Sequence, residues 1–319
     1  YFNPLTLSID RLCIKAEGKE KVKVGDTEFD TIVLRNITPM GDMTVWQEAN
    51  GDVVKLKAMM GITMVRQDKA TAMSGIEAGT QQDFAVQSSV KPDKDIPHPR
   101  EIKELEIIFK GMGDGSMTIN DARQSGASES GHPDWVRYRI KPVEFDADKS
   151  LQLPISDEKH SEFLASALYL NSDDKAIRDR ARKIVGDEKN AYRACAEIRQ
   201  WINGYMKADP SIGITRSASD VLKSKRGVCR DYGILFAALA RAAGIPAKIA
   251  AGVLYTNGAF YYHVWVECFV GEWVPFDATL PTDYVDATHV KMAEGGLQNQ
   301  IQIMSFVGNM KIDILSSES

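Results

Sequence analysis

Arg226-Gly227-Val228-Cys229-Arg230-Asp231-Tyr232 opens an apolar run that continues to Ala243 and stops at Gly244-Ile245-Pro246. A run of that length, closed by glycine and then proline, predicts a helix over about 229–243. Three runs rich in β-branched and aromatic residues follow, at about 247–255, 259–270 and 273–278. They are joined at Thr256-Asn257-Gly258 and near Gly271-Glu272, both good turn chemistry. Helix first and antiparallel sheet after it, with no strand–helix alternation, predicts an α+β arrangement.

Upstream, Ala191, Ala194, Cys195, Ile198, Trp201, Ile202 and Tyr205 form one helical stripe. Periodicity also predicts helices over 157–170 and 173–185, the second ending at Gly186. A short helix is expected to start at Ser217 or Ser219, whose hydroxyls suit an N-cap.

The first 150 residues read as mostly strand. Thr31–Leu34, Met43–Trp46, Val53–Leu56, Leu105–Phe109 and Trp135–Ile140 carry the pattern. Asn50-Gly51 between two such runs predicts a type I′ hairpin. Gly25-Asp26 and Gly113-Asp114-Gly115 are further turns, and the proline-rich stretch 91–99 reads as a linker or edge crossing. The expected organisation is a β-rich region over 1–150, divisible near 91–100. A helix-and-sheet domain follows over 151–290, then an extension over 291–319 that packs on the core.

The chain has 319 residues, 44% hydrophobic and 26% charged, with a formal net charge of −5. That balance, without a basic stripe, argues against a nucleic-acid partner. No apolar run is long enough to cross a bilayer. The four cysteines, at 13, 195, 229 and 268, have neither disulfide-scaffold density nor zinc-ligand spacing, so no metal and no cofactor is expected. The first residue is Tyr1, which reads as a processed or trimmed start.

Cys229 begins its helix, where backbone N–H groups and the helix dipole favour thiolate over thiol and can face an oxyanion. A lone cysteine is commonly just a small buried apolar residue. A nucleophile also needs a base, and that base an orienting group. Of the histidines at 98, 132, 160, 263 and 289, His263 lies inside an apolar strand, Tyr261–Val266. Asp277 sits in the next strand, Trp273–Ala278.

Register tests the combination. A two-residue loop at Gly271-Glu272 would put Asp277 on the opposite face from His263. A three-residue loop, Val270-Gly271-Glu272, pairs Phe269 with Trp273 and brings Asp277 diagonal to His263 on the same face. A Cys-His-Asp site therefore requires the longer loop or a bulge.

Taken together, four blocks resemble the transglutaminase-like superfamily, including its bacterial cysteine-protease-like members. They are Gly227–Tyr232, Ala243–Ala247, His263–Glu267 and Trp273–Thr279, in that order. The resemblance implies a papain- or transglutaminase-like α+β core with Cys229, His263 and Asp277 at the catalytic positions. It also implies a second oxyanion donor before the cysteine, for which Gln200, Trp201 and Tyr205 are the candidates. Trp201 and Tyr205 also lie on the apolar stripe, where core packing competes for them. Cys195 on that stripe reads as structural, and Cys268 has the opposite strand parity from His263.

The expected activity is acyl transfer from a peptide or side-chain amide, with water as acceptor (a cysteine peptidase or amidase). An amine acceptor would make it a protein-glutamine transglutaminase. The reading of another class is an inactive scaffold of the cell envelope. A protein or peptide partner is expected, and family habit places such proteins in the periplasm, the cell envelope or outside the cell.

Overall fold

The computed structural model describes the chain apart from residues 1, 4–7, 10, 39–40, 58–62, 75–88, 113–117, 213–214, 296–302 and 304–309. The chain divides into two compact units, residues 1–89 with 297–309, and residues 90–296 with 310–319. The division thus falls between 89 and 90. The strands between 104 and 140 join the helical unit, whereas the sequence groups them with the N-terminal strands.

The first unit is an antiparallel meander of five strands. These are β1 (Cys13–Val24), β2 (Thr27–Thr38), β3 (Gly41–Gln47), β4 (Val53–Lys57) and β5 (Thr63–Val65). Gly25, with φ +59°, makes the tight β1–β2 turn with Asp26. Val22, Trp46 and Val54 form a small core, and Trp46 Nε1 donates to Glu20 at 2.7 Å. Asn50-Gly51 does turn the chain, but inside a longer loop than the type I′ turn expected. Gly51 N–H bonds Glu48 O at 3.0 Å, and Glu48 N–H bonds Asp52 O at 2.9 Å. The pair thus closes a turn from Glu48, and only Gly51 takes positive φ. The turn expected at Gly113-Asp114-Gly115 lies outside the described residues.

The second unit holds two antiparallel sheets and a helical layer. One sheet runs β13–β6–β8–β7, built from β6 (Glu104–Lys110), β7 (Gln124–Glu129), β8 (His132–Ile140) and the C-terminal β13 (Lys311–Glu318). The proline-rich stretch before it is an edge crossing: Val90 bridges to Phe260, and Ile96 is buried with its N–H on the Tyr255 hydroxyl.

The helices are α1 (Lys175–Val185), α2 (Ala191–Tyr205), α3 (Ala218–Ser224) and α4 (Cys229–Ala242). Side chains cap the first three: Asp174, Asn190 and Ser217 each accept a first-turn N–H. The helix expected over 157–170 is instead a 3₁₀ segment over Glu158–Leu164. Three residues per turn align His160 with Phe163, and both rings pack on Trp273, His160 also stacking on Phe269 at 3.8 Å. Tertiary packing overrides the helical periodicity there.

α4 is buried continuously from Asp231 to Ala240, as a helix apolar all round must be. It lies against the second sheet, ordered β11–β10–β9–β12. Its strands are β9 (Ala247–Thr256), β10 (Ala259–Phe269), β11 (Trp273–Phe276) and β12 (His289–Glu294). Gly233 of α4 sets this approach: a Cβ there would stand 3.1 Å from Val264. The β9–β10 turn is Asn257-Gly258, both at positive φ. The β10–β11 loop is Val270-Gly271-Glu272, with Phe269 opposite Trp273. This is the longer of the two registers weighed from sequence. Among the described residues, no helix is long and apolar enough to cross a membrane.

Candidate active site

Cys229 is the first residue of α4 and is half-buried, following Val228 as N-cap. The helix start is fixed from within. Asp231 reaches back to accept the Val228 N–H at 3.0 Å, and its Oδ2 lies 3.3 Å from the Arg216 guanidinium. Gly227 is required by this fold-back, since a Cβ there would stand 2.5 Å from Asp231 Cβ. The Asp231 N–H closes this turn on Val228 O at 2.8 Å, and the positive end of the helix dipole lies beside the sulfur, where it favours an anion.

His263 lies in the middle of β10, opposite Gly252 of β9, and is buried. Its Nε2 is 2.8 Å from Asp277 Oδ2, and Cys229 adds to the interactions that favour a charged ring. With Nε2 directed at the carboxylate, Nδ1 is the nitrogen left for the sulfur. Burial opposes a charged His263, but Asp277, followed by the contact with Cys229, overcomes it and pushes the ring up to about 10. Burial likewise opposes the Asp277 charge, and His263 and then His289 pull that carboxyl well below its usual range.

Asp277 follows the last residue of β11. Its second oxygen is saturated locally, by Thr279 N–H at 2.8 Å and Thr279 Oγ1 at 2.7 Å. The chain beyond it is tied to α2. Asn203 Nδ2 donates to Ala278 O at 3.0 Å, and the buried Arg199 donates to Leu280 O at 3.2 Å and pairs with Asp283. These contacts hold the carboxylate from behind.

One histidine was undervalued by reading strand pattern alone. His289 opens β12, is fully buried, and brings Nε2 to 3.2 Å from Asp277 Oδ2. His263 is therefore not the sole well-placed histidine. The strand that carries His289 is clamped by the first residue of β7 and the one before it. Arg123 donates to His289 O at 2.7 Å and to Asp286 O at 2.6 Å, while Gln124 exchanges hydrogen bonds with both backbone groups of Lys291. A sequence signal was available: Asp286-Ala287-Thr288 repeats Asp277-Ala278-Thr279.

Of the three candidates for a second oxyanion donor, Trp201 and Tyr205 are engaged with other groups. Trp201 and Tyr205 stack at 4.2 Å beneath Arg180, and the Tyr205 hydroxyl donates to Leu222 O at 2.9 Å. Gln200 lines a shallow cavity with Arg180, Lys183, Ile184, Glu197 and Trp201. The structure brings none of the three to Cys229 among the contacts of the described residues. The apolar stripe of α2 turns Ile198 and Ile202 inward, leaving Trp201 and Tyr205 half-buried at its edge. Cys195 and Cys268 are both fully buried, and burial, with Cys268 adding to it, pushes the Cys195 thiol well up.

Two clusters have metal-like composition. His263, Asp277 and His289 offer ligand atoms within 4.8 Å of one another, as do Asp121, Glu267 and Glu294. The first cluster is joined internally by hydrogen bonds to one oxygen, Asp277 Oδ2. The second surrounds the Lys291 ammonium, which lies 2.7 Å from Glu267 and 2.5 Å from both Asp121 and Glu294.

A thiol at a helix start, an imidazole beside it, and a buried carboxylate on the far ring nitrogen can together activate sulfur for attack on a carbonyl. Residues 178–278 match the sequence profile of the Transglutaminase-like superfamily. An uncharacterised protein of Mycobacterium leprae is 26% identical over 122 residues, covering 35% of this chain and 43% of that protein, so the chain spans less than half of that relative. Among solved structures, a candidate cysteine protease from Cytophaga hutchinsonii shares 21% identity with a TM-score of 0.43, over 68% of this chain and 85% of the other. The periplasmic domain of TgpA from Pseudomonas aeruginosa shares 16% identity with a TM-score of 0.40, over 62% and 91% of the respective chains. The segment that holds Cys229, His263 and Asp277 is thus similar, over residues 178–278, to the transglutaminase-like superfamily.

Proposed function

We propose that this protein transfers acyl groups from peptide or side-chain amides through a Cys229 thioester, with water as the acceptor. The observation that carries the reading is the buried 2.8 Å contact between His263 Nε2 and Asp277 Oδ2, on a ring whose other nitrogen is left for Cys229. Asp277 fixes the tautomer, and His263 takes the thiol proton. The thiolate attacks the carbonyl carbon, and the first turn of α4 receives the developing oxyanion. His263 then returns the proton to the leaving amine, and water, deprotonated by the same ring, releases the acid.

An amine in place of water would make the enzyme a protein cross-linker using the same side chains. Hydrolysis is favoured because water needs no dedicated acceptor pocket. An inactive scaffold has no reason to hold His263 against a saturated carboxylate beside a helix-start cysteine.

The test offers a peptide library together with a labelled primary amine to the protein and to Cys229→Ala. New peptide termini, absent with Cys229→Ala, are the expected product. Label incorporated into protein would replace hydrolysis with transfer, and ammonia alone would indicate a side-chain deamidase. Absence of any Cys229-dependent product would return the scaffold reading.

A further inference from the structure

We infer that His289 is a positioning residue for Asp277: its Nε2–H, aimed by a second Asp-Ala-Thr turn, fixes the carboxylate oxygen that His263 uses. The inference rests on the assignment of His263 as base and concerns a residue outside the three that perform the chemistry.

Two turns of identical sequence have identical local bonding. In the first, Asp277 Oδ1 accepts the Thr279 N–H at 2.8 Å and the Thr279 hydroxyl at 2.7 Å. In the second, Asp286 Oδ1 accepts the Thr288 N–H at 2.8 Å and the Thr288 hydroxyl at 2.5 Å. Such a turn locks the aspartate from its own backbone and leaves one oxygen directed outward. Asp277 Oδ2 takes His263 and His289. Asp286 Oδ2 takes the Arg100 guanidinium at 2.7 Å, while its Oδ1 stands 3.5 Å from His289 Nδ1. A hydrogen-bonded line therefore runs from His289 through Asp277 to His263, and Asp286, held by Arg100, stands behind His289 beyond hydrogen-bond distance of Nδ1.

His289 cannot itself be a base toward substrate, because it is fully buried. Its ring is boxed by Trp265, edge-on at 5.5 Å, and by the His263 ring at 5.7 Å. Its main-chain carbonyl is held by Arg123. The carboxylate within hydrogen-bond distance of the imidazole is that of Asp277. Burying so polar a ring is unfavourable unless it is bonded, and its closest bond is to Asp277. Two N–H donors on one oxygen also divide its charge, so Asp277 holds the His263 proton less tightly than it would with one donor. His289 thereby sets both where the carboxylate points and how firmly it grips the catalytic ring.

The first measurement is the ¹⁵N NMR spectrum of the histidine-labelled whole chain at neutral pH. The inference requires a proton on His289 Nε2; a ring protonated on Nδ1 alone overturns it, with no variant needed. The second compares His289→Gln, whose amide nitrogen reaches the place of Nε2, with His289→Asn, whose shorter amide does not. The pH midpoint of His263 should stay near that of the parent in the Gln variant. In the Asn variant it should rise by about half a pH unit or more, because one donor to Asp277 is lost. Equal midpoints in the parent and the Asn variant, or a rise as large in the Gln variant, overturn the inference. Both readings are of ring protons, so they stand apart from the assignment of Cys229. Failure of that assignment would show instead as an unreactive thiol in a chain whose His289 behaves as described.

Discussion

His263→Ala is expected to reduce Cys229-dependent turnover by about 10⁴- to 10⁶-fold in kcat, with little change in KM. The ring has three duties at once, and no neighbour can take them over. It accepts the thiol proton, returns it to the leaving amine, and transmits the Asp277 charge to the sulfur through the 2.8 Å bond at Nε2. His289, the nearest other imidazole, points its Nε2 at Asp277 and is fully buried, so it offers no rescue. Asp277→Asn should fall at the lower end of the same range. An amide keeps the shape but offers His263 the wrong hydrogen-bond partner and removes the charge that keeps the ring protonated. Steady-state kinetics on the peptide product checks both variants. A loss of less than tenfold in His263→Ala would mean that the ring is only a packed core residue.

The second large effect is structural. Gly252 lies between the strand of His263, its direct partner in β10, and the strand of His289. A Cβ at this position would stand 1.9 Å from Val290 O and 2.9 Å from Val290 C. The obstacle is backbone, so no rotamer change relieves it. Either β12 leaves the sheet or the β9–β10 ladder distorts, and β12 is pinned by Arg123 and Gln124. Gly252→Ala is expected to cost about 4 kcal/mol or more, beyond the ordinary range for a single substitution, as read by urea denaturation. A variant as stable as the parent would show that β12 does not lie across Gly252.

How much of this was legible in the sequence differs from one part of the chain to another. α4 and its stop were plain because both signals were local: an apolar run, then Gly244-Ile245-Pro246. The register of β10 on β11 was legible because strand parity leaves only two choices, and Gly271, at φ +129°, suits the longer loop. His289 was not legible from strand pattern, because its partners are assembled by tertiary structure from residues 100, 123, 277 and 286. The same is true of Lys291, a charged residue in a buried strand, whose three carboxylates come from residues 121, 267 and 294. The segment 157–170 misled for a related reason: the packing of His160 and Phe163 on Trp273 selects a 3₁₀ turn. Trp201 and Tyr205 obey the helical stripe, but a stripe states only which face is apolar. It does not say that Arg180 covers them.

The central claim is that Cys229 is held ready as a nucleophile by a protonated His263, and the rate of its alkylation against pH tests it most directly. The His263 ring, pushed up to about 10, keeps its proton throughout the neutral range and loses it only as pH rises through that value. Iodoacetamide should therefore label Cys229 at a rate already level between about pH 6 and pH 8, a level that Asp277→Asn abolishes. A rate that is negligible at neutral pH and climbs only above about 8.5, as for an ordinary thiol, would contradict the account.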